Sequence, residues 1–534
     1  MADAHKNFAY SAVAVAPSPA TSGTSLVVTT DDGTKFPTAP FNAIVWPSGF
    51  IPSTTNAEIV RVTAVSTDTL TITRTQESTT ARTIVAGDQI SAGITAKTLT
   101  DVEGAGGGQT LVTKVVASAG GDYTTLSSAI AAASAGWTIY VKAGTYTETG
   151  ITGLALANIS IVGDNPEATV LTFGANSFTT ASGADYLHIT GVKFTFTTGK
   201  LSLANCTSPK IINCHFSKTG NGNGFEAQSS ATEMLFAHNY YDSTSTDTAS
   251  VSFLVISNYG RIIGNTFRTN ATFTARGHIE LDGNGLIVSN NNFEYNGTGT
   301  QYLVKMKSAP GVFSNNTIVQ TTSALLAHLQ ITGDYLAVSG CVISATGVGG
   351  TGILVQSSGV TISGNHFKGG ASSTGINVNT STNTSITGNT FVTHATGITV
   401  GSSSSDIAIS NNNFYAYSAD GIINAGAGTT ITSNKFSTFN SAGNGITINA
   451  GNCTVSANNV TGGSSAGTGL GISVSNAVAN DDNIITGNRV SAFLTGIKVV
   501  GANSDRTLIT SNNTQGNGTG LTDSGTTSTL ANNV

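Results

Sequence analysis

The sequence predicts an all-β protein: a long single-stranded parallel β-helix behind a small N-terminal β module. Three observations predict it. First, a phrase of the form apolar-Thr/Ser-Gly/Ser-Asn-x-Phe recurs, as in Ile262-Ile263-Gly264-Asn265-Thr266-Phe267, Ile362-Ser363-Gly364-Asn365-His366-Phe367 and Ile386-Thr387-Gly388-Asn389-Thr390-Phe391. The residue two before the Phe runs Cys214, Asn239, Asn265, Asn291, Asn316, Cys341, Asn365, Asn389, Asn412, Asn434, Asn458, Asn488, Asn512, at intervals of 22 to 30 residues, most of them 24 to 26. A fixed period of that length marks a solenoid, one unit stacked on the next. Second, each unit carries short β-branched runs broken by Gly, Asn and Ser, without helical periodicity. Third, charged residues make up 9% of the 534 and glycines number 63, against about 25% charge in an average domain. That composition suits a long sheet with a hydroxyl- and amide-rich outer face. The fixed recurrence of β-branched residues sets it apart from disorder.

Residues 1–103 lack the Asn phrase. Alternating runs appear instead: Ser25-Leu26-Val27-Val28, Ala43-Ile44-Val45-Trp46, Glu58-Ile59-Val60-Arg61-Val62 and Thr69-Leu70-Thr71-Ile72-Thr73-Arg74. Turn signals such as Asp31-Asp32-Gly33 separate them, so this is a small antiparallel module. Arg61, Arg74 and Arg82 are read as solvated strand faces. The stretch Ala12-Val13-Ala14-Val15-Ala16 is too short, and too poor in Leu and Ile, for a secretory signal. Residues 104–110, Gly104-Ala105-Gly106-Gly107-Gly108-Gln109-Thr110, read as a flexible joint, and 111–534 as the solenoid. Within it Tyr123, Leu126, Ala129 and Ile130 form a helical stripe with Asp122 as N-cap, a cap that would seal the first coil. Counting from residue 160 gives about 15 coils, which at about 4.8 Å per strand predicts a rod about 70 Å long. A second phrase, Gly-Ile-x-Val, as in Gly352-Ile353-Leu354-Val355 and Gly397-Ile398-Thr399-Val400, falls midway between Asn positions and marks another sheet. The longest interval, before Asn488, predicts an outward loop near Ala477 to Asp482.

Net charge is -6 with no basic cluster, which argues against nucleic acid. No apolar run of about 18 residues exists to span a membrane. Cys206, Cys214, Cys341 and Cys453 have no metal or redox spacing and read as buried free thiols. No cofactor or metal site is predicted.

The stretch Asp122-Tyr123-Thr124-Thr125-Leu126 with Ala129-Ile130, then Ile139 to Glu148, then Ile159-Ser160-Ile161-Val162-Gly163-Asp164, resembles the N-terminal cap (122–146) and first coils of pectin-lyase-like right-handed β-helix proteins. The pectinesterase catalytic motifs have no counterpart at matching positions, so no catalytic residue carries over. The whole plan, a small β module followed by a long β-helix, resembles bacteriophage tail spikes and tail fibres. That resemblance implies a homotrimeric virion protein made in the host cytoplasm. Its N-terminal module would attach to other tail proteins, and its β-helix would meet a bacterial surface glycan. The alternatives are a non-catalytic structural fibre or adhesin, and a secreted bacterial polysaccharide lyase or hydrolase.

The Asn period also serves as a ruler. Residues at one offset stack in columns, and alternation along a strand tells inside from outside. On the strand before the Asn turn, the outward columns read Glu226, Ser252, His278, Leu303, His328, then Gln228, Leu254, Glu280, Lys305, Gln330, then Ser230, Ile256, Asp282, Lys307, Thr332. Charge-pairing for register and solubility is one reading of these columns. The other is a carbohydrate site. Glycoside hydrolysis needs two carboxylates, and Glu280 and Asp282 lie about 6.5 to 7 Å apart along one strand. Glu226 or Glu294 would supply an opposite wall. His278, Lys305, Lys307, His328, Tyr302 and Glu226 would bind substrate, and a lyase would use His278 or Lys305 as base. Arg261, Arg268, Arg276 and Tyr295 lie in neighbouring segments.

Overall fold

A computed structural model describes residues 4–105, 113–244, 251–270, 277–297, 300–320, 325–345, 349–437, 442–475, 481–501 and 504–534. The chain divides into two compact units, Met1–Thr110 and Leu111–Val534.

The first unit is a closed antiparallel barrel of six strands: Tyr10–Val15, Ser25–Val28, Phe41–Trp46, Glu58–Ser66, Thr69–Gln76 and Gln89–Ser91. Closure removes the sheet edges. The Ala12–Ala16 stretch supplies its first strand. Val13, Leu26, Val28, Ala43, Val45, Val60, Val62, Leu70, Ile72 and Ile90 fill the interior by period-2 alternation. The arginines depart from the solvated faces the sequence suggests. Arg74 grips the buried Glu58 with two bonds, Nε to Oε1 at 2.9 Å and Nη2 to Oε2 at 2.6 Å. Arg82 pairs with the buried Asp88 at 2.7 Å, and Arg61 donates to Asn42. Burial raises the Glu58 carboxyl, but Arg74 and the backbone N–H groups of Arg82 and Thr75 outweigh it and hold the group below its usual value. A carboxyl depressed on folding contributes stability above its unfolded value, near 4.5. That contribution is lost as pH falls through the lower folded value. Breaking such a buried pair costs about 3 to 5 kcal/mol. We therefore expect Glu58→Gln to lower the barrel's melting temperature sharply at pH 7 and to flatten its decline on acidification. Fluorescence of Trp46 in a Trp137→Phe background reads both. An unchanged melt at pH 7 would refute the pairing.

Beyond it, helix Ala96–Ala105 takes Gly104 and Ala105 from the expected joint; residues 106–110 of that joint lie outside the described residues.

The second unit is a right-handed parallel β-helix. Each coil contributes one strand to each of three parallel sheets. Sheet A has 16 strands, from Ile151–Leu154 to Thr519–Asp523. Sheet B runs from Thr113–Val116 to Thr529–Ala531. Sheet C has 15 strands, from Gly144–Thr147 to Arg489–Ser491. Register is in step from coil to coil: Ile353, Ile376, Ile398, Ile422, Ile446, Ile472 and Ile497 form one inward column. The first coil is sealed by helix Leu126–Ala131, which buries Leu126, Ala129 and Ile130. Its N-cap is Thr125, whose hydroxyl accepts from Ser128 N, rather than Asp122. The Asp122 carboxylate instead accepts from Val115 N at 2.8 Å. The buried Glu148 accepts from the N–H groups of Leu126 and Ser127.

The repeated phrase now has a cause. Sheets B and C meet at a sharp bend, and the residue before each ladder position takes a left-handed conformation there, as in Gly264, Asn290, Asn315, Gly340, Gly364, Gly388, Asn411 and Ser433. That is why Gly, Asn and Ser crowd the position. The next side chain enters the interior. Asn389 Oδ1 accepts from both Asn365 N and Asn365 Nδ2 at 2.9 Å, while Asn389 Nδ2 donates to Ile362 O and to Asn412 Oδ1. Each rung thus satisfies the polar groups of its neighbours. The ladder runs on to Asn533. Two residues later the Phe turns inward on sheet C. Phe367, Phe391, Phe414 and Phe436 stack with centroids 4.8, 4.8 and 4.5 Å apart.

All four cysteines are buried and free. Burial raises the Cys214 thiol to about 12 and the Cys341 thiol to about 11, so neither is a nucleophile near neutral pH. Of the expected long loop, residues 476–480 lie outside the described residues. Asp481 and Asp482 stand at the corner that follows and pair with Arg506.

Candidate functional site

Sheet A carries the residues singled out by the ruler, with two changes of place. Register sets Glu226 opposite Leu254, not Ser252, so Glu226, Leu254, Glu280, Lys305 and Gln330 form one outward column. The turn after Ala227 holds two more residues than those of the following coils. A two-residue slip keeps a side chain on its face but shifts its row.

The second change concerns the histidines. His278 and His328 are fully buried, not outward. His278 directly precedes its strand, Ile279–Leu281, while His328 is the second residue of its own, Ala327–Ile331, all five of whose residues are buried. Alternation fails at this end of sheet A, and both side chains are buried. The His278 ring lies 6.1 Å from that of Tyr241, and His328 Nδ1 meets Thr351 O at 2.8 Å. Burial pushes His278 down to about 3 and His328 to about 4. Both are neutral core groups out of reach of an external ligand, so neither serves as base or glycan contact.

Around Glu280 the side chains close into a cluster. Glu280 is only 5% exposed. Its Oε1 accepts from the Tyr302 hydroxyl and its Oε2 from Lys307 Nζ at 3.3 Å. Lys307 also reaches Asp282 Oδ2 at 3.9 Å, and Asp282 Oδ1 accepts from Gly283 N. Tyr302 is itself buried, with Lys305 Nζ 5.3 Å above its ring; it is a support beneath the surface rather than a platform for a sugar. Burial raises the Glu280 carboxyl, but Tyr302, Lys307 and Lys305 outweigh it and leave it below its usual value. A glycosidase acid must hold its proton near neutral pH, and Glu280 is set up to stay ionised. Glu226 pairs with Lys200 two rungs away from Glu280, a separation of about 10 Å. Glu294 belongs to sheet C, whereas Glu226 and Glu280 belong to sheet A.

Sheet C bears a cluster that the sequence columns did not include. On its outer face Lys193, His215 and Tyr240 stand in successive rungs, and beside them Asp242, Arg268 and Glu294. His215 Nδ1 meets Glu167 Oε1 at 2.9 Å. The His215 and Tyr240 rings meet edge to face at 4.8 Å, and the Arg268 guanidinium lies 5.7 Å over the Tyr240 ring. Arg268 Nε donates to Glu294 at 2.9 Å, and Asn292 to the other oxygen at 2.7 Å. Burial lowers His215 and raises Tyr240. Reading the offsets one and three residues after the Asn would have found this row. Tyr295 is buried and Arg261 is on sheet B. Arg276 lies outside the described residues. Among the described residues, no three His, Cys, Asp or Glu side chains are grouped to hold a metal. Among the described residues, no helix is long and apolar enough to cross a membrane.

A family profile described as a right handed beta helix region matches residues 199–391 and again 374–534. No curated protein sequence matches the chain. Among solved structures, an alginate lyase aligns over 62% of this chain and 80% of its own, at 13% identity and a TM-score of 0.41. The catalytic unit of a GH87 alpha-1,3-glucanase from Streptomyces thermodiastaticus aligns over 98% and 86%, at 14% identity and 0.33. The tailspike of Pseudomonas phage phi297 aligns over 90% and 62%, at 12% identity and 0.23. At these values none of the three carries an argument about substrate or reaction.

Proposed function

The chain belongs to the right-handed β-helix family, and from that premise we propose that it is a tail spike or tail fibre that binds polysaccharide on a bacterial surface. The observation that carries the reading is the gathering of charged, planar and aromatic groups on the outer faces of a few coils, in a chain with 9% charge. Sheet A offers Glu226, Lys305, Lys307 and Asp282, and sheet C offers Tyr240, His215, Arg268 and Glu294. Planar polar groups bind the hydroxyls of a sugar, and a phenol ring covers its apolar face. The barrel supports an attachment role by exposing Phe8, Phe50 and Ile51, apolar groups that suit docking to another tail protein. A homotrimer assembled in the host cytoplasm completes the proposal.

Binding without cleavage is favoured, because Lys307 bridges Glu280 and Asp282 and, with Tyr302, holds the Glu280 carboxyl below its usual value. A second reading keeps a catalytic pair, on the spacing of these two carboxylates along one strand.

One preparation tests both. Purified protein is mixed with host capsule or lipopolysaccharide, and retention, new reducing ends and the ultraviolet absorbance of unsaturated uronates are followed, with sedimentation mass measured alongside. We expect retention, no new ends, and a mass near three times 53.9 kDa. Cleavage abolished by Glu280→Gln with Asp282→Asn would establish the second reading. No retention of any glycan would end the first.

A further inference from the structure

We propose that three tyrosines along the corner leading into sheet B form a track for a linear polysaccharide lying parallel to the solenoid axis. This rests on the reading of the solenoid as a glycan-contacting surface, but it places the contact on a different edge from the sheet A and sheet C rows.

At that corner one residue takes a left-handed conformation in most coils: Asn158, Tyr186, Ser208, Glu233, Tyr259 and Gly285 in the early coils, and Tyr335, Gly359, Asn383 and Asp406 later. Glycine and asparagine occupy such a position easily. A bulky aromatic residue does so at a conformational cost and marks a place to examine. Tyr186, Tyr259 and Tyr335 have φ of 58°, 56° and 56° and are 57%, 65% and 72% exposed. They gain little burial in return for the strain.

Their spacing is regular. From Tyr186 to Tyr259 is three rungs of sheet B, and from Tyr259 to Tyr335 three more. The rings therefore recur about every 14 Å along one edge. Two of them lie against a glycine of the next coil. A Cβ at Gly285 would stand 2.8 Å from the Tyr259 ring, and one at Gly359 2.6 Å from the Tyr335 ring. Each glycine leaves room for the ring beside it, and the ring stays mostly exposed. The preceding residues hold the corner: Asp185 accepts from Thr207 N, Asn258 from Asn284 N and Asp334 from Ser358 N, at 2.7 to 2.8 Å. Between the first two rings the same edge presents Ser208 and Glu233, bonded to each other, with the exposed Lys210 and Arg261 in the adjoining row. Exposed aromatic rings at a constant stride, with hydroxyl, carboxylate and cationic groups between, fit a chain of sugar rings. Turn residues separate the aromatic faces, as a continuous interface between copies would not require.

The strain supplies a clean variant. Asparagine already holds this corner at Asn158, Asn383 and Asn452. Tyr186→Asn, Tyr259→Asn and Tyr335→Asn therefore remove the rings while leaving the full-length chain folded. The probes are alginate, dextran and capsular polysaccharide extracts cast into native gels, with size-fractionated oligosaccharides of the retained glycan. We expect melting temperature to hold or rise in all three variants. Retention should fall roughly threefold to tenfold per ring lost, and affinity should climb with ligand length until the ligand spans from one ring to the next. Wild-type retention unchanged in the triple variant overturns the track and leaves the wider glycan reading standing. No wild-type retention on any probe overturns both. Loss of the oligomer's sedimentation mass in the triple variant overturns the track in favour of a contact between copies.

Discussion

Asn389→Ala is expected to remove about 3 to 6 kcal/mol of unfolding free energy, since each buried polar group left without a partner costs about 1 to 3 kcal/mol. The side chain is fully buried and engages four groups: Asn365 N, Asn365 Nδ2, Ile362 O and Asn412 Oδ1. Alanine answers none of them, and the position is fully buried. The chain itself indicates a milder change. At Cys341 the thiol stands in the same ladder, receiving bonds from Asn316 and contacting Phe313 O at 3.6 Å. We therefore expect Asn389→Cys to cost less than half as much as Asn389→Ala in guanidinium denaturation. Equal losses would show that the ladder is held by its backbone bends alone. A solenoid couples mainly to its nearest neighbours, so the loss should appear as early opening of the coils around residue 389, read by hydrogen exchange of Asn365 N.

The same ladder explains why so much of the fold was legible in the sequence. A left-handed bend, a buried amide and an inward ring are three different chemical demands at three consecutive offsets. Few residue types meet each, so the pattern survives changes elsewhere. The Gly-Ile-x-Val phrase was legible for the same reason. The site was less so. Alternation assumes a regular strand and fails where sheet A begins, which hid the burial of His278, just before its strand, and of His328, near the start of its own. A fixed offset from the ladder assumes turns of constant length, and two extra residues after Ala227 moved Glu226 into the row of Glu280. Burial of a charge depends on a partner from another strand, as Glu58 and Arg74 show; spacing within one strand cannot reveal it. Tyr186, Tyr259 and Tyr335 share a corner whose backbone conformation leaves only a faint trace in sequence, an acidic or amide residue just before.

The second large effect is expected at the glycine column of sheet A. Gly352, Gly375, Gly397, Gly421 and Gly445 precede the inward isoleucines; the first four face the aromatic ladder of sheet C, and Gly445 faces Val460. A Cβ at Gly397 would stand 2.4 Å from Phe414 Cε1 and 2.7 Å from Gly421 O. Phe414 cannot yield, being stacked between Phe391 at 4.8 Å and Phe436 at 4.5 Å, and the carbonyl belongs to the sheet. Overpacking of this kind costs about 1 to 3 kcal/mol, and with both contacts rigid Gly397→Ala should lie at the upper end. Earlier coils suggest how the space is shared. The column there holds Leu303 and His328, and the sheet C ladder of those coils holds Ile318 and Ile343 in place of Phe. In these two coils volume on one sheet is exchanged for volume on the other, although the coil before them holds both His278 and Phe293. Gly397→Ala combined with Phe414→Ile should therefore be more stable than the sum of the two single losses, with a coupling of about 1 kcal/mol or more in a double-mutant cycle. Strict additivity would mean that the glycine is required by the backbone at that bend and not by the ring across from it.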